Sequence, residues 1–125
     1  DFTDTPYPSR QHFADGYGLS SGAVRAFHQA YAGRVADKTT PYLSPMSAPS
    51  LANMPPTLMV TAGFDPLADS GLAYARRLKK DAVAVTEEHF SSMIHGFMNI
   101  NLFPQRRQAL EATAAFIERV LADAH

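Results

Sequence analysis

The sequence contains no cysteine, which excludes disulfides, reactive thiolates and zinc–cysteine sites at the outset. It also lacks an excess of charge: eleven Lys and Arg stand against twelve Asp and Glu, and no block of like charges occurs. Electrostatic capture of nucleic acid or of an anionic membrane surface is therefore not expected. Long apolar runs are missing too. The best of them, Thr57 to Ala62, falls far short of the roughly 20 residues of a membrane-spanning helix. No charged-then-apolar leader opens the chain, so a soluble protein is expected, with the cytoplasm as its compartment, although the lack of cysteine fits the periplasm equally. Internal repeats and low-complexity tracts are absent, which leaves no basis for a solenoid or a disordered tail. What remains is an ordinary globular balance, 46% hydrophobic and 18% charged, in 125 residues, enough for one domain and too few for two.

Two textures divide the chain near Pro56. Residues 1–56 are rich in Pro, Ser and Gly around one helical island. Ala23, Val24, Phe27, Ala30 and Tyr31 fall on one helix face there, Ser20 or Ser21 stands at the N-cap position and Gly33 at the end. The spacing predicts a helix over about 20–32. Pro41, Pro45, Pro49, Pro55 and Pro56 then exclude a helix interior, so this stretch reads as an ordered loop or linker. From residue 57 the pattern changes to α/β. Thr57–Ala62 is apolar on both alternating faces and stops at Gly63, as a strand buried on both sides would, and such strands belong to parallel sheets. Leu67, Leu72, Ala75 and Leu78 then recur at helical spacing to about Lys80, with Asp69 or Ser70 as the expected cap. Val83–Phe90 favours a strand, and Ser91–Asn99 reads as loop. A final helix enters at Pro104 with Leu110, Ala114, Ile117 and Leu121 on its apolar face.

Chemistry in an open parallel sheet collects in the loops beyond the carboxyl ends of the strands. Two such loops occur. Gly63-Phe64-Asp65-Pro66-Leu67 places a carboxylate after the first strand, and Met93-Ile94-His95-Gly96-Phe97 places an imidazole after the second, 30 residues on. One strand–helix–strand unit would bring both to the same sheet edge. Asp65 would then accept a hydrogen bond from one nitrogen of His95 and leave the other free as a general base. Asp before Pro is also common in turns, and a lone loop histidine is often a solvated surface residue, so spacing by itself leaves both readings open.

At these residues, in Pro55–Asp69 and in Ile94-His95-Gly96-Phe97, the sequence resembles the bacterial hormone-sensitive-lipase-like branch of the α/β-hydrolases. The resemblance extends through the helix of Tyr74, Ala75 and Leu78 and the final helix. It reaches more weakly to Gly16-Tyr17-Gly18-Leu19, which looks like the cap region of that family. It implies a carboxylesterase or lipase acting on small-molecule esters, with Asp65 and His95 as acid and base of a Ser-His-Asp triad and no metal or organic cofactor. The family also requires a nucleophilic serine in a Gly-Asp-Ser-Ala-Gly elbow and a His-Gly-Gly-Gly oxyanion loop, and neither motif occurs in this chain. The chain, which opens on Asp1 rather than Met, is therefore expected to be the C-terminal portion of the fold: the last parallel strands and helices plus part of a helical cap. Residues 1–56 would form the cap segment and linker, and 57–125 would carry the acid and base. A companion N-terminal part would hold the serine. A non-catalytic interaction module, docking through an exposed sheet edge or self-associating as a homo-oligomer, is the alternative.

Several features compete with this assignment. Gly18-Leu19-Ser20-Ser21-Gly22 fits Gly-x-Ser-x-Gly, but the polar stretch before it is no buried strand, and Ser20 is better read as a helix cap. Asp69, four residues after Asp65, is likewise read as a cap. His12, His28, His89 and His125 show no metal-ligand spacing. Ile94 and Phe97 are the candidate substrate-binding residues, with Met93 and Met98 beside them, and core packing is the rival role for all four. Phe13, Tyr17, Phe27 and Tyr31 would form part of a lid or bury the island helix.

Overall fold

The computed structural model describes residue 2 and residues 5–123. Its elements run α1 (Pro8–His12), α2 (Ser21–Ala32), β1 (Thr57–Phe64), α3 (Ala68–Lys80), β2 (Val85–Ile94) and α4 (Pro104–Asp123). Short 3₁₀ turns lie at Pro45–Ser47 and Phe97–Asn99. His125 lies outside the described residues.

Among the described residues the sheet has two strands, β1 and β2, paired in parallel with Thr57 opposite Val85 and Ala62 opposite Phe90. One helix covers each face. On one side α3 approaches closely at Gly71, where an added Cβ would lie 3.2 Å from Thr61 Cγ2. On the other, α4 contributes Ala109 to a core with Ala62, Met93 and Phe97, and Val60, Phe90, Met98 and Phe103 pack around it. A parallel pair needs such a crossover helix, because its second strand must restart at the same end as the first. A second cluster, Leu51, Leu78 and Val83, fastens the Pro-rich stretch to α3.

That stretch is tied down by polar contacts as well. Arg77 donates to the Met46 and Ala48 carbonyls at 3.2 and 2.8 Å, and Asp81 Oδ2 accepts from the Leu51 amide at 2.6 Å. The backbone hydrogen bond from Leu51 holds the Asp81 carboxyl below its ordinary range, with the Arg77 guanidinium acting in the same direction.

Both strands run further than the periodicity indicates. β1 passes through Gly63 to Phe64, and β2 continues through Ser91 and Ser92 to Ile94, so the expected loop over 91–99 begins four residues late. The reason is an irregularity in the register. Ala62 faces Phe90 but Phe64 faces Ile94, so β2 carries two extra residues opposite Gly63. A Cβ at Gly63 would lie 2.0 Å from the Ser91 carbonyl oxygen, so the backbones meet there only because glycine has none.

The helices depart from expectation in other ways. α1 was not anticipated, although Pro8 at the start of a helix is a favourable placement. In α2 only Val24 and Ala32 are buried, while Phe27 and Tyr31 stand 65% and 77% exposed. They do not bury the island helix. α4 turns its small residue Ala109 inward and leaves Leu110, Ile117 and Leu121 exposed.

Candidate active site

The carboxyl ends of β1 and β2 place Asp65 and His95 side by side. His95 Nδ1 lies 2.9 Å from Asp65 Oδ2. Asp65 is almost wholly covered, with 11% of its side chain exposed, whereas the His95 side chain is 44% exposed. The second carboxylate oxygen, Oδ1, accepts the Leu67 amide at 2.8 Å, and the Asp65 carbonyl accepts the Ala68 amide. This is the turn an Asp-Pro pair favours: the aspartate bonds the backbone two residues on, and proline fixes the intervening φ. A buried carboxylate with both oxygens engaged is held in one rotamer.

His95 is positioned by the backbone on either side of it. β2 ends at Ile94, and Gly96 adopts φ +74°, a left-handed conformation that an L side chain enters only at a cost. The chain then reverses into the 3₁₀ turn, whose first residue, Phe97, is 3% exposed and lies with its ring 5.0 Å from that of Phe90. Among the described residues, Asp65 is the only hydrogen-bond partner of the His95 ring. With Nδ1 donating to the carboxylate, Nε2 is the nitrogen left as an acceptor. A pair of this kind orients an imidazole, stabilises its protonated form and leaves one nitrogen to take and return a proton.

The other residues singled out from the sequence are placed as follows. Ser20 Oγ accepts the Ala23 amide at 3.1 Å as the N-cap of α2. Asp69 does not cap α3, and neither does Ser70: the helix starts at Ala68, and its N-cap residue, Leu67, makes no side-chain capping hydrogen bond. The Asp69 carboxylate instead accepts the Ser9 amide, in the first turn of α1, at 2.8 Å. Packing α1 across the start of α3 brings that carboxylate within reach of an unpaired helix N–H, which local sequence spacing cannot reveal. Phe97, two residues after His95, lies in the core with Met93. Ile94 is half-buried and meets the loop at Gly18, where an added Cβ would lie 3.5 Å from Ile94 Cδ1.

Two groups were missed. Phe64, directly before Asp65, stacks on Tyr17 with ring centroids 5.3 Å apart and an interplanar angle of 4°, and Phe13 meets both rings edge-on. The loop before α2 thus abuts the strand end that carries the carboxylate. Ser9, 3% exposed, bonds the Pro66 carbonyl at 3.0 Å. The available signal for Ser9 was Pro8 as a helix start. Away from this pair, a cavity of about 510 Å³ between α1 and α2 is lined by residues including Tyr7, Arg10, Val24, Arg25 and His28, but by neither Asp65 nor His95. Burial and the neighbouring Arg10 hold His28 below the ordinary imidazole range. No group of three or more His, Asp or Glu among the described residues is placed to hold a metal ion. No helix among them is long and apolar enough to cross a membrane.

Comparison with known proteins extends these observations. The pattern of the alpha/beta hydrolase fold matches residues 1–99. An ethyl acetate hydrolase of Pseudomonas putida is 39% identical over 93 residues, which cover 74% of this chain and 29% of that protein. Mouse hormone-sensitive lipase is 33% identical over 84 residues, 65% of this chain and 11% of the lipase. In three dimensions, the thermostable carboxylesterase EstE1, cloned from a metagenomic library, superimposes with a TM-score of 0.84 at 31% identity. That match covers 95% of this chain and 41% of EstE1. The present chain thus spans well under half of each of these relatives and carries part of their fold, a parallel strand pair with its helices. It belongs to the alpha/beta hydrolase fold family, in the branch that includes carboxylic ester hydrolases and hormone-sensitive lipase.

Proposed function

We propose that this chain supplies the acid and base of a serine carboxylesterase, Asp65 and His95, while the nucleophilic serine and the oxyanion loop come from a preceding part or a companion chain. The observation that carries the reading is the 2.9 Å contact between His95 Nδ1 and a nearly buried Asp65, at the adjacent ends of two parallel strands. Support comes also from the relatives, several of which are named as ester hydrolases. The substrate class is small-molecule carboxylic esters.

His95 Nε2 takes the serine proton as the hydroxyl attacks the ester carbonyl, and Asp65 stabilises the resulting imidazolium. The same nitrogen protonates the departing alcohol, leaving an acyl-enzyme. It then removes a proton from water as that water attacks the acyl carbonyl, and returns the proton to the serine oxygen as the acid is released. Backbone amides of the absent oxyanion loop hold the charge on the carbonyl oxygen, and losing one such donor commonly costs on the order of a hundredfold in rate or more.

A fluorophosphonate probe tests the assignment on the assembled protein. It should label a serine in the part carrying the Gly-Asp-Ser-Ala-Gly elbow and leave residues 1–125 unmarked. Labelling of Ser20, or full esterase activity in an Asp65→Asn variant, would overturn the assignment.

A further inference from the structure

Building on that triad reading, we infer that Ser9 is a positioning residue for the acid–base pair: it holds the Asp65 carboxylate against His95 through a single peptide unit, and Asp69 in turn holds Ser9.

Ser9 is separated from Pro66 by 57 positions in sequence and is buried. Its hydroxyl takes part in two contacts. It accepts the Asp69 amide at 3.2 Å and donates to the Pro66 carbonyl at 3.0 Å. A serine hydroxyl has one proton, and Asp69 N–H fills an acceptor position on the oxygen, so the proton is directed at the Pro66 carbonyl. The Ser9 amide meanwhile donates to Asp69 Oδ2 at 2.8 Å, which closes a reciprocal pair between α1 and the first turn of α3.

The Pro66 carbonyl and the Leu67 N–H are the two ends of one planar peptide unit. Ser9 grips the first end, and the second donates to Asp65 Oδ1 at 2.8 Å. The other oxygen of the same carboxylate, Oδ2, meets His95 Nδ1 at 2.9 Å. An unbroken series therefore runs from the Ser9 hydroxyl through the Pro66–Leu67 peptide and the Asp65 carboxylate to the His95 ring. A peptide plane held at one end only can rock about its Cα–Cα axis. Rocking would carry the Leu67 N–H away from Oδ1 and free the carboxylate to turn Oδ2 away from His95. Pro66 is fully buried and the Asp65 side chain nearly so, and consecutive hydrogen bonds in such surroundings polarise and strengthen one another. Ser9 touches neither His95 nor any reacting atom. Its effect is to place the carboxylate that places the base.

The experiment compares variants of the assembled, esterase-competent protein, with p-nitrophenyl acetate as substrate and the downfield proton signal of the His95–Asp65 hydrogen bond as a second readout. Ser9→Ala should lower kcat by about tenfold, the kinetic equivalent of one hydrogen bond in a charge-bearing series, with KM unchanged and the proton signal weakened. Asp69→Ala should do the same, while Asp69→Asn, which keeps an acceptor oxygen for the Ser9 amide, should recover most of the loss. If Ser9→Ala fails to fold, the Asp69 pair of variants carries the test. Unchanged kcat and proton signal in Ser9→Ala, or a loss confined to KM, would overturn the inference while Asp65→Asn remains inactive. An active Asp65→Asn enzyme would instead overturn the triad reading on which the inference rests.

Discussion

The loops carrying Asp65 and His95 lie at one sheet edge and are held by different forces. The Asp65 loop is fastened by hydrogen bonds: Leu67 to the carboxylate, Ala68 to the Asp65 carbonyl, and Ser9 to the next carbonyl along. The His95 loop is fastened by packing, through buried Phe97 and a glycine that lets the chain reverse, and its imidazole bonds Asp65 alone among the described residues. Exposure follows the same division, 11% for the Asp65 side chain and 44% for that of His95. An acid that only orients and stabilises works best immobile and shielded, whereas a base has to reach a proton, accept it and deliver it elsewhere. The difference in anchoring is what the proposed chemistry asks of the two groups.

The largest effect that would sharpen this comparison is on catalysis. In the assembled enzyme His95→Ala should lower kcat by about 10⁶ and Asp65→Ala by about 10⁴, because the base moves protons and the acid only assists it. Equal losses would break the distinction, and single-turnover kinetics with an activated ester would measure both. Next comes the apolar anchor. Phe97→Ala should cost about 3–5 kcal/mol in unfolding free energy, read from the shift in urea midpoint, because it empties a fully packed site beside Phe90 and Met93.

A smaller effect is expected at Ser20, whose Oγ caps α2 at 3.1 Å: Ser20→Ala should cost about 1 kcal/mol with kcat unchanged. Loss of activity there would make it a nucleophile and undo the assignment of roles to both loops.

The smallest effect is in acid. The Asp81 carboxyl is lowered in the folded state by the Leu51 amide, so its contribution is complete above the unfolded value of about 3.9 and is lost as pH falls through the lower folded value. Urea midpoints measured from pH 6 downward should fall less steeply in Asp81→Asn than in the parent. Identical slopes would show that this polar anchor, unlike those at Asp65, contributes nothing measurable.

Much of this architecture was legible in the residues. The α2 helix with its Ser20 cap, the crossover from Thr57 to Lys80 and the final helix at Pro104 all follow from spacing, capping and breaker residues. So does the placement of Asp65 and His95 at one edge, since a strand–helix–strand unit has little other choice. The misreadings share one cause. Ser91 and Ser92 read as loop, yet they extend β2 opposite Gly63, where two backbones touch. Asp69 reads as the cap of its own helix, yet it bonds α1, 60 positions earlier. In each case the partner is distant in sequence, and local pattern carries no information about it.

Sequence by itself therefore determined the longer helices, the parallel crossover and the placement of Asp65 and His95 at one sheet edge, because helices and strands follow from local spacing and capping, and a strand–helix–strand unit returns both strand ends to the same edge. Only the tertiary structure decided how that pair is held. The Ser9–Asp69 reciprocal bond, the peptide unit between Ser9 and Asp65, and the stacking of Tyr17 on Phe64 all join residues more than 40 positions apart. Such contacts exist only once the chain has closed the intervening loops, and closure is set by the packing of the whole rather than by any local run of residues.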